Sequence, residues 1–308
     1  VQAALIDMSS RVSMSDAVAQ CAAELVSGGS LEMSTGRTAD AAAIAARLPA
    51  GTPVYVNHLP GHPLEQSLQT LVAVRAAGLE PVPHLAARRI ASRDEVKQFL
   101  QRAVAEAAVR KVLLIGGDEA QAAGPYADGK ALLNDGVLAE CGVRELALPG
   151  YPEGHPRIAS EVLEQAFDDK VRLAQTQRLG VSVVTQFSFA PARVIEYCDD
   201  LARRWRGLAV YVGMAGPTDA LSLLRFAQRC GVSASLRAMG AQGMGAVRMF
   251  MHTDPGDQLS AVAQYRLRHD DCNVVGVHLF SFGAATRSAT WMNAVITTRG
   301  ARVGQAPS

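Results

Sequence analysis

A (β/α)8 (TIM) barrel is the fold class this sequence predicts, and three observations carry it. Short apolar runs alternate with longer segments of helical period, and the alternation recurs about every 30 residues. It yields eight strands. The chain has 308 residues and is 49% hydrophobic, enough to bury the core of one large barrel domain.

The predicted strands are Ser30 to Met33, Val54 to Asn57, Pro81 to His84, Val112 to Ile115, Glu145 to Leu148, Val181 to Gln186, Leu208 to Val212 and Val274 to Phe280. Between them, Asp94 to Ala108 and Ile158 to Gln177 space their apolar residues so that one face meets a sheet while Arg, Glu and Gln meet water. A helix over Ser15 to Ser27 precedes the first strand. The chain is therefore read as one catalytic barrel over 1–308, with 1–29 an N-terminal helical extension packed on it. Ser233 to Tyr265 is irregular and reads as a long loop with one or two helices. A doubly wound open sheet is the rival fold, but its phosphate fingerprint must follow the first strand, where this chain has Glu32-Met33-Ser34-Thr35. Gly240 to Gly245 follows no strand and reads as a mobile loop.

Composition removes several functions. A net charge of +1, without a basic stripe interleaved with aromatics, argues against nucleic acid. No apolar run approaches the roughly 20 residues of a spanning helix, and the N-terminus shows no secretory h-region. The expected setting is cytoplasmic. Five scattered cysteines without a CxxC argue for buried thiols rather than a disulfide frame or a zinc site. The outer helices of a barrel leave room for a homo-oligomer.

In a barrel, chemistry sits where strands end, because side chains from several strands converge on one mouth. The residues there are Glu32, Asn57, His58, His84, Asp118, Tyr151, His155, Gln186, His278 and Phe280. No lysine falls at a strand's C-terminal end, which removes Schiff-base chemistry. His58 and His62 lie in a Pro/Gly loop without metal-ligand spacing, so no metal is expected. Carboxylates, amides and aromatics without a strong nucleophile suit an organic cofactor that carries the chemistry itself. Phe187 and Phe189 alternate with Gln186 and Ser188, which predicts that these aromatics pack outward against the helices. Trp205 and Trp291 read as packing residues.

Several segments resemble the methylenetetrahydrofolate reductase family, in order across nearly the whole chain. They are Leu31-Glu32-Met33, Pro83-His84-Leu85, Gly117-Asp118, Tyr151-Pro152-Glu153-Gly154-His155-Pro156, Thr185-Gln186-Phe187-Ser188-Phe189, Cys230-Gly231-Val232 and His278-Leu279-Phe280-Ser281-Phe282. The resemblance implies NAD(P)H as hydride source, FAD as carrier and a folate as substrate. It makes Glu32 the general acid that opens the folate's five-membered ring, with a pKa raised by burial. It gives Asp118 the stabilisation of iminium charge, and Gln186 and Phe280 substrate binding. Asn57, His84, Gly117, Asp118, Tyr126, Tyr151, His155 and Arg172 fall to cofactor binding.

The chain also departs from the family. Gly116 stands where the family has an arginine before Gly-Asp, Gln175, Thr176 and Gln177 replace basic residues, and Gly283 replaces an asparagine. Charge-assisted contacts of about 1.5–3 kcal/mol each are thereby lost to a flavin's phosphates, and Arg88 and Arg89 are the candidates to replace them. Three functions follow: the flavin-dependent reductase, the same reaction by direct hydride transfer without flavin, and a non-catalytic folate- or flavin-binding barrel.

Overall fold

The computed structural model of the protein describes residues 2–218 and 255–303, with side chains over 15–218 and 255–298. Eight parallel strands pair in chain order and close into a barrel: β1 (Ser30–Met33), β2 (Pro53–Val56), β3 (Glu80–Ala86), β4 (Lys111–Ile115), β5 (Glu145–Gly150), β6 (Gly180–Thr185), β7 (Ala209–Ala215) and β8 (Val274–Phe280). Pairing of β1 with β8 closes it. The predicted fold class is the observed one, and every predicted strand overlaps its counterpart.

The boundaries differ where flanking residues mislead. Strand β7 runs to Ala215 rather than Val212, since Gly213 does not end it. Strand β6 stops at Thr185, which leaves Gln186 to Phe189 in the following loop. The first helix is longer than expected, α1 spanning Gln2–Ser27. It lies against β8 and the last two helices, α9 (Gly256–Arg268) and α10 (Ala285–Val303). Helix α9 occupies the end of the stretch read as a long loop. The Gly240 to Gly245 cluster and Cys230-Gly231-Val232 lie outside the described residues.

The remaining helices are α2 (Thr38–Ala45), α3 (Leu64–Ala76), α4 (Arg93–Ala107), α5 (Gly129–Asn134), α6 (Val137–Glu140), α7 (Ser160–Thr176) and α8 (Pro191–Arg204). Helix α4 shows why such segments start where they do. The Ser92 hydroxyl accepts the Glu95 N–H at 3.1 Å, and the Glu95 carboxylate returns to the Ala91 N–H at 2.7 Å, which satisfies donors that a helix start leaves orphaned. Its buried Val96, Phe99, Leu100, Ala103 and Ala107 form the face turned inward.

Period-two alternation along the strands builds two cores. Leu31, Met33, Val54, Val56, Val112, Leu114, Leu146 and Leu148 face the helices in one continuous cluster. Tyr55, Val82, Leu113, Ala147 and Val184 face inward and fill the lumen. Lys111 closes the end opposite the mouth, paired with Glu145 at 2.7 Å beneath the Tyr211 ring. Cys21, Cys141 and Cys198 are buried thiols and Cys272 is partly buried. Trp205 and Trp291 pack against the outer core. Among the described residues, no helix is long and apolar enough to cross a membrane.

Candidate active site

The strand register sets the height of each inward side chain. Carried around the closed ladder, it puts Glu32, His84, Pro149 and Gly213 of the odd strands at one level. Tyr55, Leu113, Val184 and His278 of the even strands stand one level deeper. Asn57, Ile115, Gln186 and Phe280 stand one level nearer the mouth, and the ladder continues that far because Asn57 N–H bonds Met33 and Gln186 N–H bonds Gly150. Layers drawn from alternate strands are the usual filling of such a barrel.

Glu32 is the acid of this arrangement. Asn57 Nδ2 donates to its Oε1 at 3.0 Å, while Asn57 Oδ1 accepts the Thr35 N–H at 3.0 Å, so the amide is clamped between β1 and the loop after it. The barrel encloses the carboxyl group, and part of the side chain stays accessible. Burial pushes its pKa up to about 7, against the opposing pull of the Asn57 hydrogen bond. A carboxyl group in this state holds its proton near neutrality and can give it up there.

Two imidazoles, His84 and His278, lie beside and below it, a third, His58, sits in the loop after β2, and burial depresses all three. His84 falls to about 3, with His58 adding to the effect; His278 falls to about 3, helped by His84; and His58 falls to about 4, helped by Arg89. At pH 7 they are neutral, so they add no fixed positive charge to the lumen. His278 Nδ1 shares a 2.8 Å hydrogen bond with Ser30 Oγ, and its ring meets the edges of Tyr55 at 4.7 Å and Phe280 at 4.8 Å. The Nε2 atoms of His84 and His278 are buried without a protein partner.

Polar contacts tie the rim loops together from β2 to β6. Arg89 Nε donates to Glu119 at 2.5 Å, and its Nη1 donates to the His58 carbonyl. Arg88 donates to the carbonyls of Ala127 at 2.6 Å and Glu119 at 3.0 Å. Asp118 follows Gly117, whose φ of +97° suits glycine, and meets Arg157 at 3.9 Å on the open rim. His155 Nδ1 accepts the Arg157 N–H at 3.2 Å, and the imidazole stands edge-on to Tyr151 at 5.7 Å. Burial lowers the His155 pKa, with Arg157 adding to the shift and Asp118 opposing it. Gln186 Oε1 accepts the Glu153 N–H at 3.0 Å.

The predicted site residues therefore divide. Glu32, Asn57, His84, Gln186 and Phe280 line consecutive levels of one lumen, and Gly117, Asp118, Tyr151 and His155 belong to the loops around its mouth. Two stand elsewhere. Arg172 lies near the C-terminal end of α7, far from the mouth, over the Trp205 ring at 5.6 Å and 3.6 Å from both Asp168 and Asp169. Tyr126 is buried in the outer core, its hydroxyl donating to Asp135 at 3.2 Å. Arg88 and Arg89, offered as replacement phosphate ligands, are engaged by loop carbonyls and by Glu119.

The aromatic expectation is corrected as well. Phe187 does not pack against the helices: with β6 ended at Thr185, the alternation no longer governs it. Its ring meets Phe189 at 5.8 Å, Phe280 at 5.7 Å and Phe282 at 5.2 Å, in a cluster of their own at the mouth. The sequence gives no role to Ser30, Tyr55 or Phe282. Ser30 and Tyr55 sit two residues before Glu32 and Asn57, and that spacing is the available signal. Among the described residues, no group of three His, Cys, Asp or Glu side chains could hold a metal ion.

Fold and site together define a (β/α)8 barrel whose mouth surrounds one proton-holding carboxyl group. No protein-family model matches the chain. Among solved structures it is similar to an uncharacterized protein from Clostridium thermocellum that binds two copies of 5-methyl-5,6,7,8-tetrahydrofolic acid, with TM-score 0.58 and 9% identity over 87% of this chain and 96% of that one. It also matches dihydropteroate synthase from Thermus thermophilus, with TM-score 0.44 and 14% identity over 90% of this chain and 94% of that one. At 9% identity the first likeness shows the fold.

Proposed function

We propose that this chain is an oxidoreductase of the methylenetetrahydrofolate reductase type, interconverting 5,10-methylenetetrahydrofolate and 5-methyltetrahydrofolate with NAD(P)H. The observation that carries the reading is Glu32, an enclosed carboxyl group at the barrel mouth with a pKa near 7. In the reducing direction Glu32 gives its proton to N10 as the five-membered ring opens. The N5 iminium left behind accepts hydride at its methylene carbon, and Glu32 regains a proton from solvent. Neutral His84 and His278 leave the cation unopposed, while Asp118 supplies negative charge at the rim. Gln186 reads the pterin edge. A barrel of the same fold binds 5-methyl-5,6,7,8-tetrahydrofolic acid in the Clostridium thermocellum protein, which agrees with a folate ligand.

The expected FAD finds few free cations among the described residues, with Arg157, loosely paired with Asp118 at 3.9 Å, the exposed one at the rim. Its diphosphate needs cations at the mouth, yet Arg172 lies at the far end of α7, Arg89 is paired with Glu119, and Arg88 is engaged by two carbonyls. A resident cofactor needs nanomolar affinity, whereas a nicotinamide co-substrate binding at micromolar to millimolar concentration needs about 4–8 kcal/mol less. This favours direct hydride transfer from the nicotinamide to the folate. The test is oxidation of 5-methyltetrahydrofolate with NAD(P)+ as hydride acceptor by purified protein whose absorbance spectrum shows no flavin. Turnover unchanged by added FAD is expected. Turnover only with FAD overturns the direct route, and folate binding without any turnover leaves the non-catalytic barrel.

A further inference from the structure

We infer that Thr35 is a positioning residue for the acid: it decides which end of the Asn57 amide faces Glu32, and two hydroxyls of α3, Ser67 and Thr70, hold it in place. The inference rests on the reading of Glu32 as the general acid. Helix α3 carries the first sign. Its inward face is Leu64, Leu68, Leu71 and Val74, interrupted by Ser67 at 2% and Thr70 at 0% exposure. A buried hydroxyl costs stability unless it is hydrogen-bonded, and both of these reach the loop that follows β1. Thr70 Oγ1 accepts the Gly36 N–H at 2.9 Å and donates to the Gln66 carbonyl at 3.0 Å. Ser67 Oγ lies 3.3 Å from Thr35 Oγ1.

Each link has one possible direction. The single Thr35 hydroxyl proton goes to the Asn57 carbonyl, so Ser67 is the donor between the two hydroxyls. The Thr35 N–H can only donate, and it takes Asn57 Oδ1 at 3.0 Å. That leaves Nδ2 to face Glu32, also at 3.0 Å. The Asn57 N–H bonds the Met33 carbonyl, so backbone and amide of this residue are both held by residues 32–35. With the amide turned over, Oδ1 would face Glu32 and accept the proton of the neutral carboxyl group. As it stands, Nδ2 donates to the charged form. The two orientations push the acidity of Glu32 in opposite directions, and the loop that α3 anchors selects between them.

The titratable groups around Glu32 do not blur this effect. His84 beside it and His278 a level deeper have pKa values of about 3, His58 in the loop after β2 has one of about 4, and burial raises that of Tyr55. None of them changes charge between pH 6 and 9. A displaced Glu32 titration in that interval therefore reports on the amide.

The test uses the full chain and three variants: Thr35→Val, which removes the hydroxyl at nearly constant shape, Thr35→Ser, which keeps it, and Ser67→Ala, which cuts the link to α3. The Glu32 carboxyl is titrated by carbon-13 NMR of glutamate-labelled protein without ligand, with Glu32→Gln assigning the signal, beside the pH profile of reductive kcat/KM. Without the hydroxyl the amide is free to turn, and the Glu32 midpoint in Thr35→Val should rise by about half to one pH unit, the worth of one hydrogen bond. The alkaline limb of the profile should move by the same amount. Thr35→Ser should restore both, and Ser67→Ala should move both the same way by less. An unmoved midpoint in folded Thr35→Val, however far its stability falls, overturns the positioning role, as does a Thr35→Ser displaced as far as Thr35→Val. Should Thr35→Val fail to fold, an unmoved midpoint in Ser67→Ala overturns it. A wild type without reductase turnover overturns the reading of Glu32 as the acid of that reaction, while the titration still decides the role of Thr35.

Discussion

The two sides of the barrel mouth are built by different physics. From β1 to β6 the rim is polar: Glu32 is clamped by Asn57, Arg89 is locked onto Glu119 and the His58 carbonyl, and Gln186 holds the Glu153 N–H. Partial burial pushes the Glu119 carboxyl up, but the Arg89 hydrogen bond and charge more than offset it, leaving it below the usual carboxylate range. Among the described residues, the ends of β6 and β8 are aromatic, fixed by van der Waals packing, a left-handed phenylalanine and a glycine. Burial, tempered by hydrogen bonds, sets protonation states on the first side, and shape sets ring positions on the second.

The comparison breaks most severely at Glu32, where Glu32→Gln should reduce turnover about a thousandfold, the middle of the range for a lost general acid, with ligand affinity retained. Steady-state kinetics beside calorimetry separates the two quantities. The same substitution should raise stability in alkaline solution. The folded protein holds the Glu32 proton more tightly than the unfolded chain, its pKa rising from 4.5 to about 7, so ionisation penalises the fold increasingly as pH climbs through that interval. At about 1.4 kcal/mol per unit the penalty reaches about 3 kcal/mol above pH 7. Denaturant titration at pH 8 should therefore find Glu32→Gln more stable than the wild type, and at pH 4 nearly equal to it. A variant less stable than the wild type at pH 8 contradicts the raised pKa.

On the aromatic side the equivalent lesion is Gly213→Ala. A Cβ there meets the Thr185 carbonyl oxygen at 2.1 Å and the Phe280 ring at 2.8 Å, and the Gly213 N–H already bonds Thr185 Oγ1 at 2.8 Å. The nearest obstacle is backbone, Thr185 and Gln186 at the end of β6, which cannot swing aside as a side chain can. The expected loss is about 3 kcal/mol, the upper part of the range for overpacking a core, read as a lower denaturation midpoint at unchanged slope. Unlike Glu32→Gln, this change should cost the same at pH 4 and pH 8, since no titrating group touches the new methyl.

How far the sequence reaches differs between these sides too. Alternating apolar runs locate all eight strands, and strand ends locate Glu32, Asn57, His84 and Gln186, because parallel strands in a closed barrel leave their C-terminal ends no other place. The Ser30–His278 contact spans 248 positions and depends on the closing register, which no local pattern encodes. Arg172 and Tyr126 fit the family's pattern by order along the chain, yet a helix rotation and a buried tyrosine decide where they point. Phe187 departs from expectation because alternation holds only while a strand lasts, and past Thr185 it no longer applies.

The finest distinction is the hydrogen bond between Asn57 and Glu32. Asn57 Nδ2 stabilises the charged carboxylate and so lowers its pKa against the larger effect of burial. Removing it by Asn57→Ala should raise the Glu32 pKa further, by about half to one unit for a hydrogen bond of about 1 kcal/mol. Because the protonated form is the active acid, the fall of reductive kcat/KM with rising pH should move to higher pH by that amount. The variant should then lose little activity at pH 6 and keep relatively more of it at pH 8. The Thr35 N–H loses its acceptor in the same substitution, which should lower stability by about 1 kcal/mol at pH 6, with up to about 1 kcal/mol more at pH 8 from the higher Glu32 pKa. A pH profile displaced toward acid, or one not displaced at all, means that the Asn57 amide positions the β1 loop without tuning the acid.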